Sequence, residues 1–176
     1  MNQKSNNYAF IDSQNVNLAI RDQGWKLDFG RFRIYLSEKY GVAKAYIFIG
    51  YLPENKELYA ALKKHGYTLI FKPIVRFDGD KVKGNVDAEM VLQAMIEYNN
   101  YQQAVLVTGD GDFGCLVKYF FKQDKLRRLI IPNKFRYSKL LRLALPQSSL
   151  ITFMNDLRKL LEYKNSASKG GVGGST

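Results

Sequence analysis

An α/β fold with a mainly parallel, doubly wound sheet of five or six strands is predicted by three observations. Six short apolar runs recur along the 176 residues: YAFID (8–12), AKAYIFIG (43–50), TLIFKP (68–73), AVLVT (104–108), RRLIIP (127–132) and SLITF (149–153). They are continuous rather than alternating, as strands covered on both faces are. Segments of helical period lie between them, and strands alternating with helices build parallel sheets.

The elements follow in order. Asp12 ends the first run, and VNLAIRD behind it reads as a short helix that Asp12 could cap. DFGRFRIYLSEKY sets Phe29, Phe32, Leu36 and Tyr40 on one helical face. ENKELYAALKKHG stops at Gly66, which leaves His65 as a surface residue near a helix end. IVRFDGDKVKG (74–84) interrupts the alternation. Asp78-Gly79 between two extended stretches is a hairpin signal, so a protruding β-arm carrying Arg76, Lys81 and Lys83 is expected. In VDAEMVLQAMIEY the apolar face runs Met90, Val91, Ala94, Met95, Tyr98, with Glu89, Gln93 and Glu97 on the outer face. CLVKYFF reads as a helix with Cys115 in the core.

A chain of this length fits one domain with a genuine core, expected over 8–164, between a flexible N-terminus (1–7) and a flexible Gly/Ser-rich tail (165–176). No stretch approaches the roughly 20 apolar residues of a membrane span, and nothing resembles a signal peptide, so a cytoplasmic protein is expected. One cysteine and one histidine exclude a Cys-rich zinc site and make a Ser/His/Asp or Cys/His nucleophile a poor reading. The net charge is +11, and residues 113–164 hold twelve Lys and Arg against three acids. A positive excess segregated in this way is the footprint of phosphate-backbone binding.

The stretch VTGDGDFG (107–114) fits G-x-G-x-x-G literally and follows a strand. As a dinucleotide cradle it fails on chemistry, because Asp110 and Asp112 would repel a pyrophosphate. It also lacks an acid about twenty positions on, where PNKFRY stands, and it sits on the fourth strand rather than the first. The glycines instead make a turn that lets carboxylates converge. In the strand order 3-2-1-4-5-6, strands 1 and 4 flank the point where winding reverses, and open parallel sheets bind ligands there. Asp12 and Asp110 end those strands; neighbouring strands lie about 4.8 Å apart, so with that order assumed the two carboxylates could share one cation. Asp87 precedes Met90 by three and Val91 by four, so it points toward the sheet from the helix's first turn. Clustered carboxylates repel one another unless a cation joins them, and hard oxygen ligands suit Mg²⁺ or Mn²⁺.

FIDSQN (10–15), KGNVDAEM (83–90), VTGDGDF (107–113) and RYSKLLRLA before SLITF together resemble the NYN domains of the PIN-like nuclease superfamily, in its LabA-like branch. The resemblance spans roughly 8–162; one departure is Asn85-Val86, an inserted residue here, since in many relatives the Asp follows the Gly sooner. It implies a three-layer sandwich with a PIN-like sheet and a metal-dependent ribonuclease. It places the acidic, metal-binding and catalytic set on Asp12, Asp87, Asp110 and Asp112, with Asn15 and Thr108 as polar supports. The expected function is RNA phosphodiester cleavage with Mg²⁺ or Mn²⁺. Lys83, Arg127, Arg128, Lys134, Arg136, Lys139 and Arg142 would track single-stranded or looped RNA, and Phe77, Phe135 and Tyr137 would offer stacking surfaces. A non-catalytic RNA-binding protein with a structural ion and a phosphohydrolase of small phosphoesters are the rivals. A homodimer is expected if the hairpin arm or the KYFFKQ helix presents an apolar patch.

Overall fold

A computed structural model of the chain describes residues 5–72, 75–77, 81–83 and 87–164, with Asp87 and the two three-residue segments described at the backbone alone. The elements are β1 (Asn7–Asp12), α1 (Ser13–Arg21), α2 (Phe29–Tyr40), β2 (Val42–Gly50), α3 (Lys56–Lys64), β3 (Tyr67–Lys72), β4 (Val75–Phe77), β5 (Lys81–Lys83), α4 (Asp87–Ile96), β6 (Ala104–Val107), α5 (Gly114–Lys122), β7 (Leu126–Ile131), α6 (Lys139–Ala144), β8 (Ile151–Phe153) and α7 (Arg158–Leu161). Six strands form one sheet in the order β3-β2-β1-β6-β7-β8, every pairing parallel. β4 and β5 pair antiparallel as the arm predicts, with Phe77 opposite Lys81. The Asp78-Gly79 turn itself lies outside the described residues.

Successive strand residues point to opposite faces, and the core splits accordingly. On one face Tyr8, Phe10, Tyr46, Phe48, Leu106 and Leu129 pack against α4, α5 and α6 through Met90, Ala94, Leu116, Phe120 and Leu141. On the other, Ala9, Ile11, Ile47, Val105, Val107 and Ile130 meet α1, α2, α3 and α7 through Val16, Ile20, Phe32, Leu36, Leu62 and Leu161. The result is a three-layer sandwich whose central strands are covered on both sides, which explains their unbroken apolar runs. Phe32, Leu36 and Tyr40 are buried as their spacing predicts, and Gly41 ends α2 with φ +63°.

Two expectations about helical faces need correction. Cys115 is exposed, because α5 turns Leu116, Val117 and Phe120 inward instead. On α4, Met95 is exposed along with Leu92 and Ile96, while Glu97 faces the sheet edge and accepts a 2.7 Å bond from the Tyr46 hydroxyl. Donation by Asn100 and Tyr46 holds the Glu97 carboxyl below its ordinary range. Burial, reinforced by that same contact, pushes the Tyr46 phenol up.

Between α4 and β6 the chain is pinned by one cation. Lys125 Nζ donates to the carbonyls of Tyr98 (2.9 Å) and Tyr101 (2.7 Å) and lies 4.6 and 5.0 Å from their ring centroids. Charged donors to buried carbonyls contribute more than neutral ones. Lys125→Met removes both bonds and the cation–ring contact, and is expected to cost about 1–3 kcal/mol. A urea denaturation midpoint unchanged from the parent would refute this role.

Candidate metal and phosphodiester site

Asp12 stands at the tip of β1, where the chain turns directly into α1. Its Oδ1 accepts the Asn15 backbone N–H at 3.2 Å and so caps the helix. Its Oδ2 accepts the Thr108 hydroxyl at 3.3 Å, reaching across to the end of β6. Thr108 Oγ1 in turn accepts the Asp110 N–H at 3.1 Å, and Asp110 Oδ1 accepts the Asp112 N–H at 3.0 Å. Asn15 Oδ1 accepts the Gly109 N–H at 2.7 Å, closing the loop from the α1 side. One continuous set of bonds thus links Asp12, Asn15, Thr108, Asp110 and Asp112. Capping and convergence are not alternatives for Asp12, since its two oxygens do one each.

Of the two expected polar supports, Thr108 is fully buried and Asn15 uses its side-chain carbonyl on the Gly109 N–H, so both bonds hold the loop. Asp110 is half-buried and Asp112 exposed. Asp87 is the first residue of α4, which packs against β1 and the Gly111–Phe113 turn; its side chain lies outside the described residues. Among the described residues, no three Asp, Glu, His or Cys side chains form a group able to hold a metal.

Two of the three glycines have a steric explanation that the sequence did not supply. A Cβ on Gly109 would lie 3.3 Å from Asn15 Oδ1 and 3.5 Å from Tyr137 Cβ. On Gly111 it would meet Ser138, 2.8 Å from that residue's Cβ, whereas on Gly114 it would make only ordinary contact with Leu140 and Ala144. Ser138 locks the contact, its N–H donating to the Gly109 carbonyl at 3.0 Å and its hydroxyl capping α6 at Leu140 N.

The basic residues divide between two edges of the sheet. Lys134 and Arg136 lie in the loop after β7, and Lys139 and Arg142 on α6, a helix that packs against the Gly111–Phe113 turn. An amide network orders this loop: Gln23 donates to the Pro132 carbonyl (2.9 Å), Asn155 Oδ1 accepts Lys134 N–H (2.9 Å) and Asn133 Oδ1 accepts Phe135 N–H (3.0 Å). Lys134 and Arg136 pair loosely with Asp156 and Asp22 in solvent, contacts worth little and readily exchanged. Arg127 and Arg128 belong elsewhere. They start β7, so they sit at the opposite, amino edge, and they do not join the group expected of them. Arg128 donates to the Ser149 carbonyl and lies over the Tyr40 ring, while Arg127 borders a cavity of about 680 Å³ with Arg33 and Lys39. The Lys83 and Phe77 side chains lie outside the described residues. Phe135 is 79 % exposed beside the loop, whereas Tyr137 packs on Phe153.

Charge is segregated along the chain as well. From Gly84 to Val117 there is no Lys or Arg, while Asp87, Glu89, Glu97, Asp110 and Asp112 fall inside that interval.

A family model, "NYN domain", matches residues 8–144. The chain belongs to the NYN domain family. This NYN chain is also 30% identical over 114 residues to the "Low amplitude and bright protein LabA" of Synechococcus elongatus, covering 59% of its own length and 61% of LabA. It therefore spans about three fifths of that relative. Its fold matches the crystal structure of a protein of unknown function, VPA0982, from Vibrio parahaemolyticus, with a TM-score of 0.72 at 21% identity over 92% of this chain and 98% of that one. No helix among the described residues of the NYN chain is long and apolar enough to cross a membrane.

Two substitutions probe the loop. Thr108→Val keeps the shape but removes both hydroxyl bonds, and is expected to lower stability by about 1–3 kcal/mol while Thr108→Ser stays near the parent. Equal denaturation midpoints for the Val and Ser variants would contradict the brace. Gly111→Ala forces Ser138 aside at a cost of about 1–3 kcal/mol, which a thermal melt reads directly.

Proposed function

We propose that this NYN domain is a Mg²⁺- or Mn²⁺-dependent ribonuclease. The observation that carries it is the meeting of Asp12 and Asp110, through Thr108, at the carboxyl edge where the strand order reverses. Ligands of open parallel sheets bind at that place. The donor set fits the ion. The bonds from Asn15 and Thr108 fix the Asp12 carboxylate, and the Asp112 N–H fixes that of Asp110, so hard oxygen donors are held in place. Mg²⁺ is commonly held by one or two carboxylates together with substrate phosphate, so a third described acid is not required. Membership of the NYN family and the motif match support adding Asp87 and Asp112 to Asp12 and Asp110 in the acidic set.

When bound, the ion would supply charge neutralisation at the scissile phosphate and a more acidic water. The residues themselves do the positioning. Thr108 holds the Asp12 carboxylate and the Asp110 backbone in one arrangement. Lys134, Arg136, Lys139 and Arg142 line the same edge with positive charge for the flanking phosphates. Phe135, with Lys134 Nζ 5.4 Å from its ring centroid, offers an exposed face for an unpaired base. RNA that is single-stranded or looped is the substrate class these features suit best.

Asp110→Asn is expected to abolish divalent-dependent cleavage while leaving RNA affinity near the parent. Asp12→Asn preserves the helix cap, since Asn caps as well as Asp, and should behave alike. Assays of RNA, DNA and a chromogenic phosphoester, each with Mn²⁺ and with chelator, separate the readings. Turnover of RNA by both variants at the parental rate would end the assignment. Binding without turnover for any substrate would favour a scaffold, and turnover of the small ester alone a phosphohydrolase. Replacing Lys139 and Arg142 with Gln should weaken RNA binding and flatten its log–log salt dependence by about 0.7 per lost phosphate contact. Replacing Arg127 should leave that slope unchanged.

A further inference from the structure

Only two charged side chains are buried among the described residues, Asp12 at 3 % exposure and Lys72 at 5 %. They have opposite sign and come from strands that are not neighbours. Register nevertheless puts them on one face of one edge. Asp12 pairs with Phe48, Phe48 pairs with Ile70, and directly paired residues of a parallel sheet share a face. Lys72, two residues past Ile70, returns to that face. From Asp12 to Lys72 is therefore about 10 Å across two strand spacings and about 7 Å along the strand. A four-carbon side chain spans much of that gap. The face is the one covered by α4, whose Met90 and Ala94 join Phe10 and Phe48 in the core and whose first residue is Asp87.

A buried ammonium or carboxylate is tolerated only where opposite charge compensates it. We propose that Lys72 is the internal counter-charge of the carboxylate pocket, a positioning residue that stabilises the acids before a divalent ion arrives and competes with that ion once it does. The metal half of this statement rests on the function proposed above, and the counter-charge half stands without it. Its compact, rotatable ammonium can withdraw when the ion enters, which the rigid fork of an arginine could not do as easily. At 5 % exposure Lys72 is poorly placed to touch RNA, so a direct phosphate contact is the rival assignment.

A double-substitution cycle on the full chain tests the pairing without metal. In EDTA, Lys72→Met and Asp12→Asn are each expected to lower the unfolding midpoint, and the double variant to lose clearly less than the two losses combined. Lys72→Gln serves if the methionine variant does not fold, and a double variant that folds where a single one fails supports the pairing outright. Calorimetric titration with Mn²⁺ then tests the competition. Lys72→Met is expected to bind about tenfold tighter than the parent. Additive losses in EDTA would overturn the counter-charge. Unchanged or weaker Mn²⁺ binding would overturn the competition, and RNA binding lost with Mn²⁺ binding unchanged would transfer Lys72 to phosphate contact. A parent that binds no Mn²⁺ would sink the metal reading and the competition together, while the EDTA cycle would still decide the pairing.

Discussion

The parallel pairing of β1 with β6 is the constraint on which the arrangement depends. Ile11 stands beside Val107, so Asp12 and Thr108 leave the sheet together. On either side of that pair the chain winds outward in opposite directions, to β2 and β3 one way and to β7 and β8 the other. The helices that follow the two central strands therefore diverge to opposite faces, the arrangement at which open parallel sheets bind ligands.

That edge bears on an electrostatic problem posed by composition. A chain with net charge +11 favours polyanions, and on the ribonuclease reading proposed above it must also hold carboxylates that phosphate would avoid. The Lys- and Arg-free interval from Gly84 to Val117 concentrates acids in α4 and the loop after β6, while the positive residues of the 134–142 segment stand alongside. Attraction and repulsion are thus separated by one loop's width instead of cancelling across the surface.

Much of this was legible in the residues, and what was not has identifiable causes. Strand positions followed from the apolar runs; the order did not, and was assumed from the common doubly wound arrangement, which the sheet adopts. That order is what brings the tip of β1, with Asp12, beside Thr108 at the end of β6. Cys115 was misplaced because a helix of nine residues rich in Phe and Leu has apolar atoms enough for two faces, and only packing against β7 selects one. Arg127 and Arg128 were grouped with Lys134 by sequence proximity, although a strand of six residues separates its two ends by most of the sheet's height. The amides Gln23 and Asn155 that order the basic loop follow no spacing rule, since their backbone partners at Pro132 and Lys134 are distant in sequence, whereas the Asn133 bond to Phe135 N–H is a local turn. The glycines of GDGDFG were read as turn formers; Gly111 answers instead to the bulk of Ser138 and Leu140, and Gly109 to that of Asn15.

The Ser138 N–H bond to the Gly109 carbonyl ties the acidic loop directly to the start of the cationic helix. On the ribonuclease reading proposed above, RNA gripped along that helix would meet the aspartates at a set offset, like a ruler with its blade fixed at one mark.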